Sequence, residues 1–211
     1  MYLLFVAITL LCSSSLIGQV TINIKLADGQ QNIVLPYKKD SLVLHTLKFY
    51  LSAPVVFDKG KQVWSQAMQA RLFDYSDGEK EIIWSLPIPS SISFDSIAFN
   101  IGTDSILNTA GVLEGDLSPL KGMYWSWQSG YVNTKIEGHC AEQPITLHLG
   151  GYLSPFCNVQ RASFTIMQRG INLVLDLKKL YPIVCGEAQV MRPSSRAVLL
   201  SKKFSTCFKR L

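Results

Sequence analysis

Val20, Ile22, Ile24 and Leu26 alternate with Thr21, Asn23 and Lys25, and this period of two narrows what the chain can become more than any other feature. Successive strand side chains point to opposite faces, so the pattern predicts a strand with one buried side. Asp28-Gly29 predicts a turn after it. Leu47–Phe57 predicts a second extended run, with Pro54 marking an edge or bulge, and Asp58-Lys59-Gly60 the next turn. Ala70–Tyr75 reads as a short strand, Asp77-Gly78 as a turn, Ser85–Ser91 (SLPIPSS) as a rigid loop and Phe94–Ile101 as another strand. From Thr103 to Lys121 the pattern lapses into a long connection. Ile145, Leu147 and Leu149 then alternate with Thr146, His148 and Gly150, which sets His148 on the more polar face. Phe164–Met167 and Ile171–Leu177 predict a strand pair turned by Gln168-Arg169-Gly170. About nine strands without long helical periodicity predict an all-β fold, a two-sheet antiparallel β-sandwich of Greek-key type.

The last segment changes period. Ser194 or Ser195 can cap a helix over residues 194–211, in which Ala197, Leu200, Phe204, Cys207, Phe208 and Leu211 recur at helical spacing. Arg196, Lys203 and Arg210 repeat on another face, the pattern of a closing amphipathic helix with a solvated basic side; docking to an acidic partner or anionic membrane is its other use. Six basic residues and no acid lie between Arg192 and Leu211, more than the whole net charge of +5, so the body of the chain offers no nucleic-acid surface.

Tyr2–Leu11 is an apolar run too short for a bilayer span, followed by small residues, which predicts a signal peptide over residues 1–18 cleaved after Gly18. The domain then covers residues 19–211, periplasmic or secreted. Cys12 follows the bulky Leu11, so an outer-surface lipoprotein is the less favoured route. Four cysteines remain, Cys140, Cys157, Cys185 and Cys207, and an even number in an exported chain favours disulfides. Three connectivities are open, with Cys140–Cys157 and Cys185–Cys207 as the expectation. Their spacing suits no zinc knuckle.

Two of the four tryptophans stand close together in Lys121–Gly138 (KGMYWSWQSGYVNTKIEG). In a strand Met123, Trp125 and Trp127 share one face and Tyr124 the other, while Gln128-Ser129-Gly130 turns into a second run from Tyr131. Packing is the ordinary use of such rings. Three histidines, His45, His139 and His148, are the imidazoles available to a metal such as copper. The chain carries no nucleophile elbow, no HExxH and no phosphate loop, and acids such as Asp104, Glu114 and Asp116 beside the hairpin are ordinarily solvated or bound to turn amides. No enzyme is expected.

Taken in order, LKFYLS (Leu47–Ser52), FNIGTDSILN (Phe99–Asn108), GDLSPLKGMYWSWQSGYVNTKIEG (Gly115–Gly138) and HLGGY (His148–Tyr152) resemble the MbnP-like family of exported copper-binding proteins. Val190-Met191 before the terminal helix looks like its Bacteroidetes-type members. The resemblance implies a sandwich that binds copper in the periplasm or at the outer surface, using a kynurenine made from a tryptophan together with histidine. By motif, Trp125 and Trp127 are the candidates for oxidation, Trp125 preferred, and His148 is the first candidate ligand, with His45 or His139 assisting. Met123, Tyr124 and Tyr131 flank the site. A di-haem cytochrome c peroxidase of the MbnH type is the implied partner. Where relatives carry further histidines before Val-Met, this chain has Ala188-Gln189. The competing reading is a non-catalytic secreted binding module whose exposed aromatics contact carbohydrate or a protein partner.

Overall fold

Alternation from Val20 to Leu26 becomes the inner strand of one sheet. The computed structural model describes residues 17–211 apart from residues 30, 129 and 188. The apolar run of the expected signal peptide and Cys12 lie outside the described residues. The expected cleavage point, Gly18, falls at the start of the first strand. In chain order come β1 (Ile17–Asp28), β2 (Gln31–Ile33), β3 (Tyr37–Lys39), β4 (Leu42–Asp58), β5 (Lys61–Ser65), β6 (Ala70–Asp74), β7 (Glu81–Pro89) and β8 (Ser96–Ile101). The long connection holds α1 (Ser105–Thr109) and two single-turn 3-10 helices, Gly115–Leu117 and Pro119–Lys121. Then follow β9 (Tyr124–Trp125), β10 (Gly130–Cys140), β11 (Gln143–Gly150), β12 (Gln160–Thr165), β13 (Gly170–Asp176), α2 (Leu177–Val184), β14 (Gln189–Val190), α3 (Ser195–Ser205) and β15 (Phe208–Arg210).

The strands form two sheets packed as a sandwich. One runs β15-β13-β1, with β2 and β7 sharing the other edge of β1; the second runs β12-β8-β4-β10-β11-β14, with β3, β5 and β6 along β4. The expected antiparallel pairing holds for most of it, but β1 pairs with β13 and β11 with β14 in parallel. Val20, Ile22, Ile24 and Leu26 are fully buried in the same core as Phe49 and Phe73, whose rings stack 5.2 Å apart. Tyr75 donates its hydroxyl hydrogen to the Ile24 carbonyl at 2.7 Å, a polar tie across the core.

Several expectations change. Ser85–Ser91 is not a loop, because most of it belongs to β7, where Ile82, Trp84, Leu86 and Ile88 point inward in strict alternation. Pro87 and Pro89 are tolerated since, among the described residues, β7 pairs only with β1 and its other edge carries no ladder bonds. Pro54 does mark a bulge: the β4–β8 register shifts between Ser52 and Val55, and Ala53 takes a φ of 47°. The segments at Phe164 and Ile171 do not pair with each other, because β12 joins β8 in one sheet and β13 joins β1 in the other.

The terminal helix is shorter than its apolar pattern. Ser194 caps it, accepting from the Ala197 amide, and it ends at Ser205; Phe208 then pairs with Leu175 in β15. Phe204 from α3 and Phe208 from β15 both meet Phe49 edge-on, so one apolar series serves two elements. The basic heptad face is accordingly dispersed. Arg196 pairs with Glu187, Lys209 with Asp176 at 3.0 Å, and Arg210 donates to the Thr165 carbonyl.

The cysteine expectation is overturned. Cys140, the last residue of β10, bonds to Cys185 at the end of α2, with Cα atoms 5.4 Å apart. Cys157 is exposed and free; Cys207 is free and buried in the core, where burial pushes its thiol up to about 12. A disulfide fits an oxidising compartment, and no helix among the described residues is long and apolar enough to cross a membrane.

Candidate functional site

The long connection folds over one end of the second sheet and is held there by buried amides. Asp104 caps α1 by accepting from the Leu107 amide. Asn133, at the bulge in β10, accepts from the Thr103 amide at 2.8 Å and from the Thr103 hydroxyl at 2.9 Å, and donates to Asn158. Asn108 donates to the Thr103 carbonyl and accepts from the Tyr131 amide at 2.8 Å. These residues belong to the GTDSILN and GYVN stretches, so those motifs set the position of the aromatic hairpin through hydrogen bonds that water cannot replace.

Beneath the connection lies a second, smaller core of Tyr50, Leu72, Leu107, Leu117, Met123, Trp125, Tyr131 and Val132. Met123 is fully buried, and Tyr131 meets Tyr50 and Tyr124 edge-on. The Tyr131 hydroxyl donates to the Gly111 carbonyl and accepts from the Leu113 amide. Two of the three flanking residues are therefore packing groups, with Tyr124 half-buried beside them. The nearby acids are structural too. Asp116 pairs with Arg71 at 3.0 Å and accepts from the Leu72 amide, while Glu114 precedes a 3-10 turn.

The expected shared strand face for Met123, Trp125 and Trp127 stops at Trp125, where β9 ends and a turn begins. Trp125 is 8% exposed and Trp127 64%, yet their rings still touch, with centroids 5.4 Å apart at a 40° tilt. Of Tyr124, Trp125, Trp127 and Tyr131 only Trp127 is largely exposed, so the four rings do not form a flat stacking platform.

His148 joins this end of the sheet. Ile145, Leu147 and Leu149 of β11 are buried inward, leaving Thr146, His148 and Gly150 on the other face. Gly150 has no side chain there, and Trp125 fills the space: an added Cβ would lie 2.6 Å from Trp125 Cζ3. Trp125 thus rests two residues along the strand from His148, on the same side. The parallel ladder ends with Leu147 opposite Val190; Met191 follows directly, and its sulfur accepts from Gln189 Nε2 at 3.2 Å.

Glu137, which sequence reasoning missed, orients the imidazole. His148 Nε2 donates to Glu137 Oε1 at 2.8 Å, and Lys135 Nζ approaches the same oxygen at 3.4 Å. Burial works to raise the Glu137 carboxyl, but hydrogen bonds from His148 and Thr46 and the Lys135 charge together hold it below its ordinary value of 4.5. The carboxylate is therefore ionised at neutral pH and only accepts, so the proton sits on Nε2 and the lone pair of Nδ1 remains for a ligand. The outward period of Lys135, Glu137 and His139 in KIEGHC was the available signal for Glu137. A depressed carboxyl contributes stability that is present above its unfolded pKa and is lost as pH falls through the folded one. Glu137→Gln is thus expected to remove at most about 1 kcal/mol from stability at neutral pH and to flatten its acid limb below about pH 5, read by urea unfolding across pH.

His45 and His139 lie elsewhere. His139 is four residues along β10 from Lys135, the cross-strand partner of His148, about 13 Å at strand rise. The three histidines share a sheet face but not one site. Among the described residues no three His, Cys, Asp or Glu side chains converge for a metal.

A family model described as MbnP matches residues 17–194. Among solved structures the chain is similar to MbnP from Methylosinus trichosporium, with 16% identity, a TM-score of 0.60, and coverage of 86% of this chain and 87% of that one. At this identity the likeness speaks for the fold. No curated protein matches.

Proposed function

The chain belongs to the MbnP family, whose model spans most of its length, and from that premise we propose that it is an exported copper-binding protein. Its site is made when Trp125 is oxidised to kynurenine beside His148. The observation that carries this reading is the placement of the Trp125 ring over Gly150, next to His148 on one strand face. Indole nitrogen is a poor ligand, whereas kynurenine offers an aryl amine and a ketone. With the Nδ1 lone pair of His148 and the thioether of Met191 at the same edge, the donors suit a soft or borderline ion. Copper bound there is held by few ligands, with Glu137 fixing the imidazole from behind.

In this reading the protein is a substrate of an oxidising enzyme and not itself a catalyst. A di-haem peroxidase of the MbnH type is the proposed partner: two equivalents of peroxide take up the four electrons of pyrrole-ring opening to N-formylkynurenine with release of two waters, and hydrolysis then releases the formyl carbon as formate. Trp127, exposed and in contact with Trp125, offers the partner a ring at the surface. The periplasm or the outer surface is the proposed location.

Intact mass tests the reading. Protein co-produced with the peroxidase is expected to gain about 4 Da and to take up copper. Trp125→Phe abolishes the gain and the copper that depends on it, Trp127→Phe leaves Trp125 as the only motif tryptophan to carry the gain, and His148→Ala keeps the mass gain while losing the copper bound beside it. No mass gain, or full copper uptake by His148→Ala, would refute it.

A further inference from the structure

His45 and His139 stand toward the other end of the same sheet face, and the copper reading leaves them unused. Their rings lie side by side, with centroids 5.6 Å apart and planes inclined by 39°. The backbone builds this pair. Glu137 faces Thr46 and Gly138 faces Leu44, so the register slips and His45 is the residue left over in β4. At a bulge the extra residue is re-aimed. Leu44 and Leu47 are buried, while His45 is exposed and Thr46 half-buried, so two consecutive side chains turn outward. Gly138 makes the slip possible, because a Cβ there would overlap the Val43 carbonyl oxygen. His139, paired with Val43, follows on the same outward face.

We propose that His45 and His139 form a two-imidazole site for a divalent first-row transition metal ion, Cu2+ most strongly, separate from the Trp125 end. An ion about 2.0 Å from a nitrogen of each ring lies about 3.2 Å from each centroid. Centroids 5.6 Å apart then correspond to a nitrogen–metal–nitrogen angle of about 120°. Imidazole suits copper, nickel and zinc, and for a given donor set Cu2+ binds most tightly among them. Glu137 is already engaged by His148 and Lys135, which leaves the remaining coordination positions to water. One exposed and one half-buried imidazole with open positions exchange their ion readily, as suits uptake or hand-over. The site does not depend on oxidation of Trp125.

Cu2+ titrated into the exported chain made without the peroxidase, with all tryptophans intact, tests this by electron paramagnetic resonance. The expected result is one ion whose nitrogen hyperfine pattern reports two imidazoles. His45→Ala and His139→Ala should each weaken binding about tenfold or more and leave a one-imidazole pattern, while His148→Ala changes neither. His45 is exposed, so its replacement leaves the core untouched, and circular dichroism checks the variants. Equal binding by wild type and His45→Ala would overturn the site, as would a signal lost only in His148→Ala. Because this protein is unoxidised, failure here leaves the kynurenine reading standing, and the reverse holds as well.

Discussion

Replacing both Cys140 and Cys185 by serine is expected to lower the unfolding free energy by about 4 kcal/mol, the largest loss from any covalent change to this chain. The bond closes a sequence separation of 45 residues. In the chain-entropy description, a cross-link of that span removes much of the unfolded chain's freedom, and the loss grows with the logarithm of the loop. Its position adds to the effect. Cys140 ends β10 in one sheet, while Cys185 ends α2, which continues directly from β13 in the other. The bond therefore ties the two layers through the helix. Ser41 lies beside Cys140 and Tyr181, and accommodates a serine hydroxyl at that end. Chemical unfolding of the oxidised protein measures the loss, and peptide mapping without reductant should recover Cys140 joined to Cys185. Cys157→Ser is the control and should change stability by less than about 0.5 kcal/mol, since that thiol is exposed and unpaired. A loss below about 1 kcal/mol for the double variant would contradict the bond.

Asn133→Ala is expected to cost about 3–5 kcal/mol and to loosen the aromatic hairpin at the same time. Asn133 is 2% exposed and joins three groups: the Thr103 amide, the Thr103 hydroxyl and the Asn158 side chain. Removing it leaves donors buried without partners, each penalised by about 1–3 kcal/mol. It also removes the side chain against which Gly102 packs, at a φ of 109° where a Cβ would meet Asn133 Cγ at 2.6 Å. The consequence reaches the site through Thr103 and Asn108, because Asn108 holds the Tyr131 amide opposite Tyr124. The variant should therefore show a lowered midpoint of unfolding together with red-shifted tryptophan emission in the native state, as Trp125 gains contact with water. A midpoint loss without any spectral change would separate the clamp from the hairpin and refute the link between them.

Much of the fold was legible because it is local. The alternation in β1 and β11, the short apolar runs of β6 and β8, the glycine turns, and Ser194 as a helix cap each depend on neighbours a few residues apart. Errors fell where a longer-range partner decided. SLPIPSS has loop composition, yet its alternate residues found the core once β1 supplied one edge to pair with. The segments at Phe164 and Ile171 are close in sequence but were claimed by different sheets, since β12 pairs with β8 while β13 takes the free edge of β1 in parallel. The C-terminal apolar series continued past Ser205 only because β13 offered an open edge to Phe208.

The site divides the same way. His148 on the polar face of its strand, and Trp125 and Trp127 within reach of each other, follow from period and spacing, and the motif order carries the family. Which histidine stands near which tryptophan, which cysteines pair, and that His45 joins His139 were decided by strand register and by one bulge at Gly138. Register is set by packing between strands distant in sequence, and a slip of one residue turns a side chain to the other face. A chain specifies that outcome only through the whole of its tertiary contacts, so the residues named their chemistry while the folded sheets chose their partners.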